Sequence, residues 1–315
     1  TSGELFSCTD ATTDENVWIN VGAGTGDVVP YSFQGTVSGY TSGGNNAGTY
    51  YNTIDKFSFT TDGNASDVGD LSVGRTGPAG QSSETHGYAA GGEASGGSVT
   101  NVIDKFSFST DGDSTDVGDL TQTRFAPTGQ SSSTHGYTSG GEGGSTTNTI
   151  DKFTFSVDGN ATDVGDLTVI RKLLAGQSSS THGYSSGGAP STNVIDKFSF
   201  SVDGNATDVG DLSSGARAYV SGQSSTTHGY TSGAFPAENV IDRFSFASNG
   251  NASDVGNLTQ SRGYPAGQSS TTHGYVSGGF PTNNVIDKFS FASSANATDV
   301  GDLTISRYNP TGTQV

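Results

Sequence analysis

Thr149-Ile150-Asp151-Lys152-Phe153-Thr154-Phe155 is the most β-prone stretch of the chain, dense in β-branched and aromatic residues. It does not stand alone. The string Ile-Asp-Lys/Arg-Phe begins at Ile54, Ile103, Ile150, Ile195, Ile241 and Ile286, at spacings of 49, 47, 45, 46 and 45 residues. Asp-Val-Gly-Asp/Asn-Leu follows each copy, from Asp67, Asp116, Asp163, Asp208, Asp254 and Asp299. Thr-His-Gly-Tyr recurs five times, with His86, His135, His182, His228 and His273, and Val37-Ser38-Gly39-Tyr40 is a degenerate sixth copy. A period of this length marks a tandem array of small structural units.

Outward from the quoted stretch, each unit reads as four short strands, A to D. Gly129-Gln130-Ser131-Ser132 is a weak polar strand A, and a tight turn leads into strand B, His135-Gly136-Tyr137-Thr138-Ser139-Gly140-Gly141. The quoted stretch is strand C. Asp158-Gly159-Asn160 supplies a hairpin turn, and residues 161–167 form strand D. Strands of four to seven residues between Gly- or Asp-rich turns leave no room for helices.

Four-stranded units of about 45 residues match propeller blades, whose neighbouring sheets cover each other's faces. The unit resembles the kelch repeat. The doublets Gly43-Gly44, Gly91-Gly92, Gly140-Gly141, Gly187-Gly188 and Gly278-Gly279 end strand B as the kelch Gly-Gly does. The strand-C Phe takes the place of the kelch Tyr, and an Arg such as Arg124 stands 16 residues before the doublet. One doublet departs, Gly233-Ala234, and the kelch strand-D Trp is absent from every unit. The near-identical units are also similar to tandem propeller proteins of marine bacteriophage virions, over about residues 36–315.

Strand counting favours an all-β, six-bladed kelch-like β-propeller. Strands B, C and D each occur six times, and residues 309–315 align with strand A, where they would complete the first blade and close the ring. A seven-bladed alternative counts residues 4–10 and 16–21 as an extra C and D pair, but leaves that blade without a strand B. Residues 1–35 are then a separate N-terminal segment, suited to attachment to other virion or surface proteins, and 36–315 the propeller.

Composition agrees once it is partitioned by repeat. With 30% hydrophobic residues, 48 Gly and a net charge of −18, the chain would suggest disorder, but its 17 Phe and 12 Tyr are too regularly placed. No apolar run is long enough for a membrane span. A pI near 4.3 argues against nucleic acid as a partner, since binding it takes an extended basic surface. The single Cys8 allows neither an internal disulfide nor a Cys-x-x-Cys metal site. Beginning at Thr1, with neither an initiator methionine nor a signal peptide, the chain reads as processed or partial.

The charges read mostly as scaffold. Of 13 basic residues, six sit on strand C (Lys56, Lys105, Lys152, Lys197, Arg243, Lys288) and six follow strand D (Arg75, Arg124, Arg171, Arg217, Arg262, Arg307). The strand-C acids Asp55, Asp104, Asp151, Asp196, Asp242 and Asp287 are available partners, for structural ion pairs within or between blades. Five symmetry-related histidines cannot converge on one metal ion. The Asp-rich turns, for example Asp111, Asp113, Asp116 and Asp119, have oxygen ligands at calcium-like spacing, although hairpin chemistry alone accounts for them. Two units also replace the first acid, with Asn249 and Ser294. Asn64, Asn160, Asn205, Asn251 and Asn296 begin glycosylation sequons, relevant only in a glycosylating host. Some kelch-like propellers are copper oxidases with a Cys-crosslinked Tyr; here Cys8 lies outside the array. No catalytic residues and no cofactor are assigned.

Variation between units is confined to two connections. One is B–C (45–51, 93–100, 142–147, 189–192, 234–238, 280–283); the other is D–A (76–78, 125–127, 172–174, 218–220, 263–265, 308–310). Antiparallel strands bring both sets to one end of the array, where loop-borne recognition is usually built. The array's surplus aromatics lie there: Tyr50, Tyr51, Phe125, Tyr219, Phe235, Tyr264, Phe280 and Tyr308. Such rings stack on sugars or mark protein contacts. The expected function is non-enzymatic: an extracellular or virion-surface protein that binds a host-surface glycan or outer-membrane protein. The alternatives are a structural decoration subunit packing into a homo-oligomer and, last, a glycan-processing enzyme.

Overall fold

The computed structural model describes residues 33–236 and 238–315 in full, and the backbone of strands Phe6–Asp10, Val17–Asn20 and Asp27–Val28. The chain divides into two compact units, Thr1–Ser32 and Phe33–Val315. In the first, the three strands form an antiparallel sheet of their own, in chain order. Phe6–Asp10 and Val17–Asn20, within the C and D pair of the seven-bladed count, pair with each other, and Val17–Asn20 also with Asp27–Val28. The attachment role assigned to residues 1–35 rests on side chains outside the described residues.

The second unit contains six four-stranded antiparallel sheets, each ordered A-B-C-D, and a small three-stranded and a two-stranded sheet in its connections. Unit two is Ala79–Ser82, His86–Ala90, Val102–Ser107 and Thr115–Asp119. Unit three is Thr128–Ser131, His135–Ser139, Thr149–Thr154 and Thr162–Asp166. Unit four is Ala175–Ser178, His182–Ser186, Val194–Ser199 and Thr207–Asp211. Unit five is Ser221–Ser224, His228–Ala234, Glu238–Ser245 and Ser253–Asn257. Unit six is Ala266–Ser269, His273–Ser277, Val285–Ser290 and Thr298–Asp302. Unit one draws on both ends of the chain: Ser38–Ser42, Thr53–Ser58 and Ser66–Asp70 supply B, C and D, and Thr311–Gln314 supplies A.

Strand C explains why one sheet needs the next. Side chains alternate between faces, and both faces of strand C are covered. Ile103 and Asp104 are each fully buried. Phe106 and Phe108 pack with Tyr40, Ile54 and Leu71 of unit one, whereas Ile103 packs with Phe153 of unit three. The strand-B tyrosine completes each interface by stacking on the second strand-C Phe of the following unit. Tyr40 meets Phe108 at 4.9 Å, Tyr184 meets Phe246 at 4.8 Å, and Tyr275 of unit six meets Phe59 of unit one at 4.8 Å. Each buried Phe contributes about 1.5–3 kcal/mol. The glycine of His-Gly-Tyr makes room for this packing: a Cβ on Gly87 would stand 2.4 Å from the Phe106 ring.

The strands A pack against one another in unit order, and that of unit six also packs against that of unit one. No helix among the described residues is long and apolar enough to cross a membrane.

Candidate functional site

Two features of the D–A connection build one end of the array. The first is its arginine, which reaches forward into the next unit. Arg75 pairs with Asp104 at 2.9 Å, Arg171 with Asp196 at 2.8 Å, Arg262 with Asp287 at 3.0 Å and Arg307 with Asp55 at 2.9 Å. Arg124 pairs with Asp151 and Arg217 with Asp242 in the same way. All twelve side chains are buried. Each aspartate also accepts the backbone N–H and hydroxyl of a Ser or Thr from the preceding unit, as Asp55 does from Thr304. Arg171 donates further to the Ser185 and Val194 carbonyls. The pairs thus run between units, fixing each connection to the following sheet.

The second feature lies two residues after each arginine. Gly77, Ala126, Leu173, Tyr219, Tyr264 and Asn309 all have left-handed backbones, with φ between 53° and 65°. Five of the six are not glycine, at a cost of about 1–3 kcal/mol each. In compensation their amides link consecutive units. Ala126 N–H donates to Gly77, Leu173 to Ala126, Tyr219 to Leu173, Tyr264 to Tyr219, Asn309 to Tyr264, and Gly77 back to Asn309, at 2.7–2.9 Å. This hydrogen-bonded collar rims a cavity of about 100 Å³ walled by the strands A. Phe33 lines the cavity beside Ser269 and Gln314, at the far ends of those strands, and Gln314 Nε2 donates to its carbonyl at 3.0 Å.

The B–C loops are sewn onto the same end. Asn45 bridges Tyr308, Glu142 bridges Phe125, Ala189 bridges Lys172 and Phe280 bridges Gly263; Glu93 pairs with Thr76. Five of the eight surplus aromatics come together there. Tyr219 and Tyr264 lie 4.3 Å apart between centroids, Phe235 stands 5.6 Å from Tyr219 and from Phe280, and Tyr308 stands 5.7 Å from Phe280 and 5.8 Å from Tyr264. Phe235 and Phe280 are 39% and 38% exposed, the outer members of the cluster. Burial, then the neighbouring Tyr219 phenol, pushes the Tyr264 hydroxyl above its ordinary pKa, so it remains a donor.

The other three make no ring contact with it. Tyr50 donates to Glu93 at 2.9 Å, which raises the Tyr50 pKa. Tyr51 is half-buried, its carbonyl held by the Arg75 amide at 3.0 Å. Phe125 is half-buried over Gly77. Phe33, Leu173 and Asn309 join the cavity wall without having been singled out; a register count from each arginine would have found the last two.

The acids of the turns are occupied separately. Asp111 pairs with Lys56 at 2.9 Å, Asp113 accepts from the Asp70 amide at 3.0 Å, and Asp116 from the Gly118 amide at 3.2 Å. Asp119 closes strand D of unit two. Among the described residues no three His, Cys, Asp or Glu side chains are grouped to hold a metal ion. Three more strand-C lysines also go to these turns, not to the strand-C aspartates: Lys105 to Asp158, Lys152 to Asp203 and Lys288 to Asp62, at 2.5–2.6 Å. Each histidine Nδ1 lies 2.8 Å from the hydroxyl of the preceding threonine.

The sequence matches no protein-family model and no curated protein.

Proposed function

We propose that residues 33–315 form a closed six-bladed, kelch-like β-propeller acting as a non-enzymatic binding module at a cell or virion surface. The D–A and B–C end is its recognition face, and a host-surface glycan is the ligand we favour over an outer-membrane protein. The cluster of Tyr219, Phe235, Tyr264, Phe280 and Tyr308 at the mouth of the cavity carries this reading. Exposed rings edged by hydroxyls and by Asn309 suit the alternating apolar and hydroxyl faces of a pyranose. A glycan array on the isolated chain tests it: selective retention of a few glycans, lost in the Tyr264→Ala/Phe280→Ala double variant, is expected. No retention, together with concentration-dependent self-association in sedimentation that the same variant abolishes, would replace it with the structural-subunit reading.

A further inference from the structure

Eleven of the 13 basic residues have a carboxylate within 4.0 Å: six buried arginines, four strand-C lysines, and Lys172, 2.5 Å from Glu142. Among the described residues, Lys197 and Arg243 are the two that do not. They are equivalent positions on strand C of adjacent units four and five. The acid that each counterpart meets in the next unit, as Lys56 meets Asp111, is in these two interfaces replaced by Asn249 and Ser294.

The break is one-sided. In a chain with 31 acidic residues, two acids have gone and both cations have stayed. The histidines register the same change. His86, His135 and His273 each sense a cation together with the acid of the adjoining turn (Asp158, Asp203, Asp62), whereas His182 and His228 sense Lys197 and Arg243 alone. Both cations are half-buried and so partly desolvated, and Lys197 Nζ stands 5.9 Å from the Tyr184 ring centroid, held over an aromatic face.

We infer that Lys197 and Arg243 form an anion-binding site for an acidic polysaccharide, whose carboxylate or sulfate groups take the places vacated by the turn acids. Two cations one structural repeat apart suit a ligand that is itself a repeating polyanion. The surrounding negative charge confines such a ligand to these two interfaces. The site is separate from the aromatic cluster and does not depend on it.

The test restores the missing acids. Asn249→Asp with Ser294→Asp recreates the pair that four other interfaces already hold, so the fold is kept. Wild type is expected to bind dextran sulfate and not neutral dextran, with free sulfate competing only weakly. The restored variant and, independently, Lys197→Gln/Arg243→Gln should each bind at least about tenfold more weakly. Lys56→Gln, at an equivalent position whose acid Asp111 is present, should leave this binding unchanged. Equal binding by the restored variant overturns the site. Retention of polyglutamate but not of dextran sulfate overturns the polysaccharide assignment in favour of an acidic protein segment.

Discussion

Arg307, near the end of the chain, donates to Asp55, near its beginning, across 2.9 Å, with neither side chain exposed to solvent. Five equivalent pairs join the remaining neighbours, so the same contact holds the two ends of the array as holds its middle. Removing either partner leaves an uncompensated buried charge. Arg307→Met or Asp55→Leu is expected to destabilise by about 3–5 kcal/mol, and the double replacement by less than the sum. Lys56→Ala breaks a half-exposed pair and is expected to cost about 0–1 kcal/mol. Urea unfolding of the four variants provides the comparison.

A second prediction separates two glycines that composition cannot distinguish. Gly87→Ala drives a methyl into the Phe106 ring, where the Cβ would sit 2.4 Å away, and is expected to destabilise by about 1–3 kcal/mol. Gly144→Ala meets nothing within 4 Å and should be neutral within about 0.5 kcal/mol. Thermal melts that show equal losses would contradict the packing described for strand B.

Third, Phe280→Ala should separate binding from stability. Its ring is 38% exposed, so truncation should cost about 1 kcal/mol or less while lowering glycan retention. A large stability loss with unchanged retention would make the cluster a cap on the fold.

Fourth, stability should fall on mild acidification. The five repeat histidines are held below the ordinary value, first by burial and then by a neighbouring cation. Unfolded, they protonate near pH 6.5; folded, only at lower pH. The unfolded chain therefore binds more protons below that point, and stability drops until the folded imidazoles protonate too. Urea midpoints between about pH 7.5 and about pH 5 should decline, and His→Gln at all five positions should flatten that decline.

The repeat period, the four strands of a unit and the pairing of residues 311–314 with the first sheet were legible because strand alternation and turn chemistry are local. What depends on the rotation between successive sheets was not. Strand C shows this: alternation separates Asp104 from Lys105, but does not say that one meets Arg75 of the unit before and the other Asp158 of the unit after. The collar was equally hidden, since only Gly77 and Asn309 of its six left-handed residues carry a compositional signal. The aromatic cluster was half legible. Variation located all eight rings at one end, and only the geometry separates Tyr50, Tyr51 and Phe125 from the other five.

The pairing of Thr311–Gln314 with Ser38–Ser42 has a consequence for biosynthesis. The first of the six sheets to leave the ribosome is the last to be finished, because its strand A is made after every other strand of the array. Throughout synthesis Ser38–Ser42 presents an unpaired edge of the kind that recruits foreign strands. A chain that stops before Thr311 is thus left with that edge open for good, and its yield should be limited by aggregation.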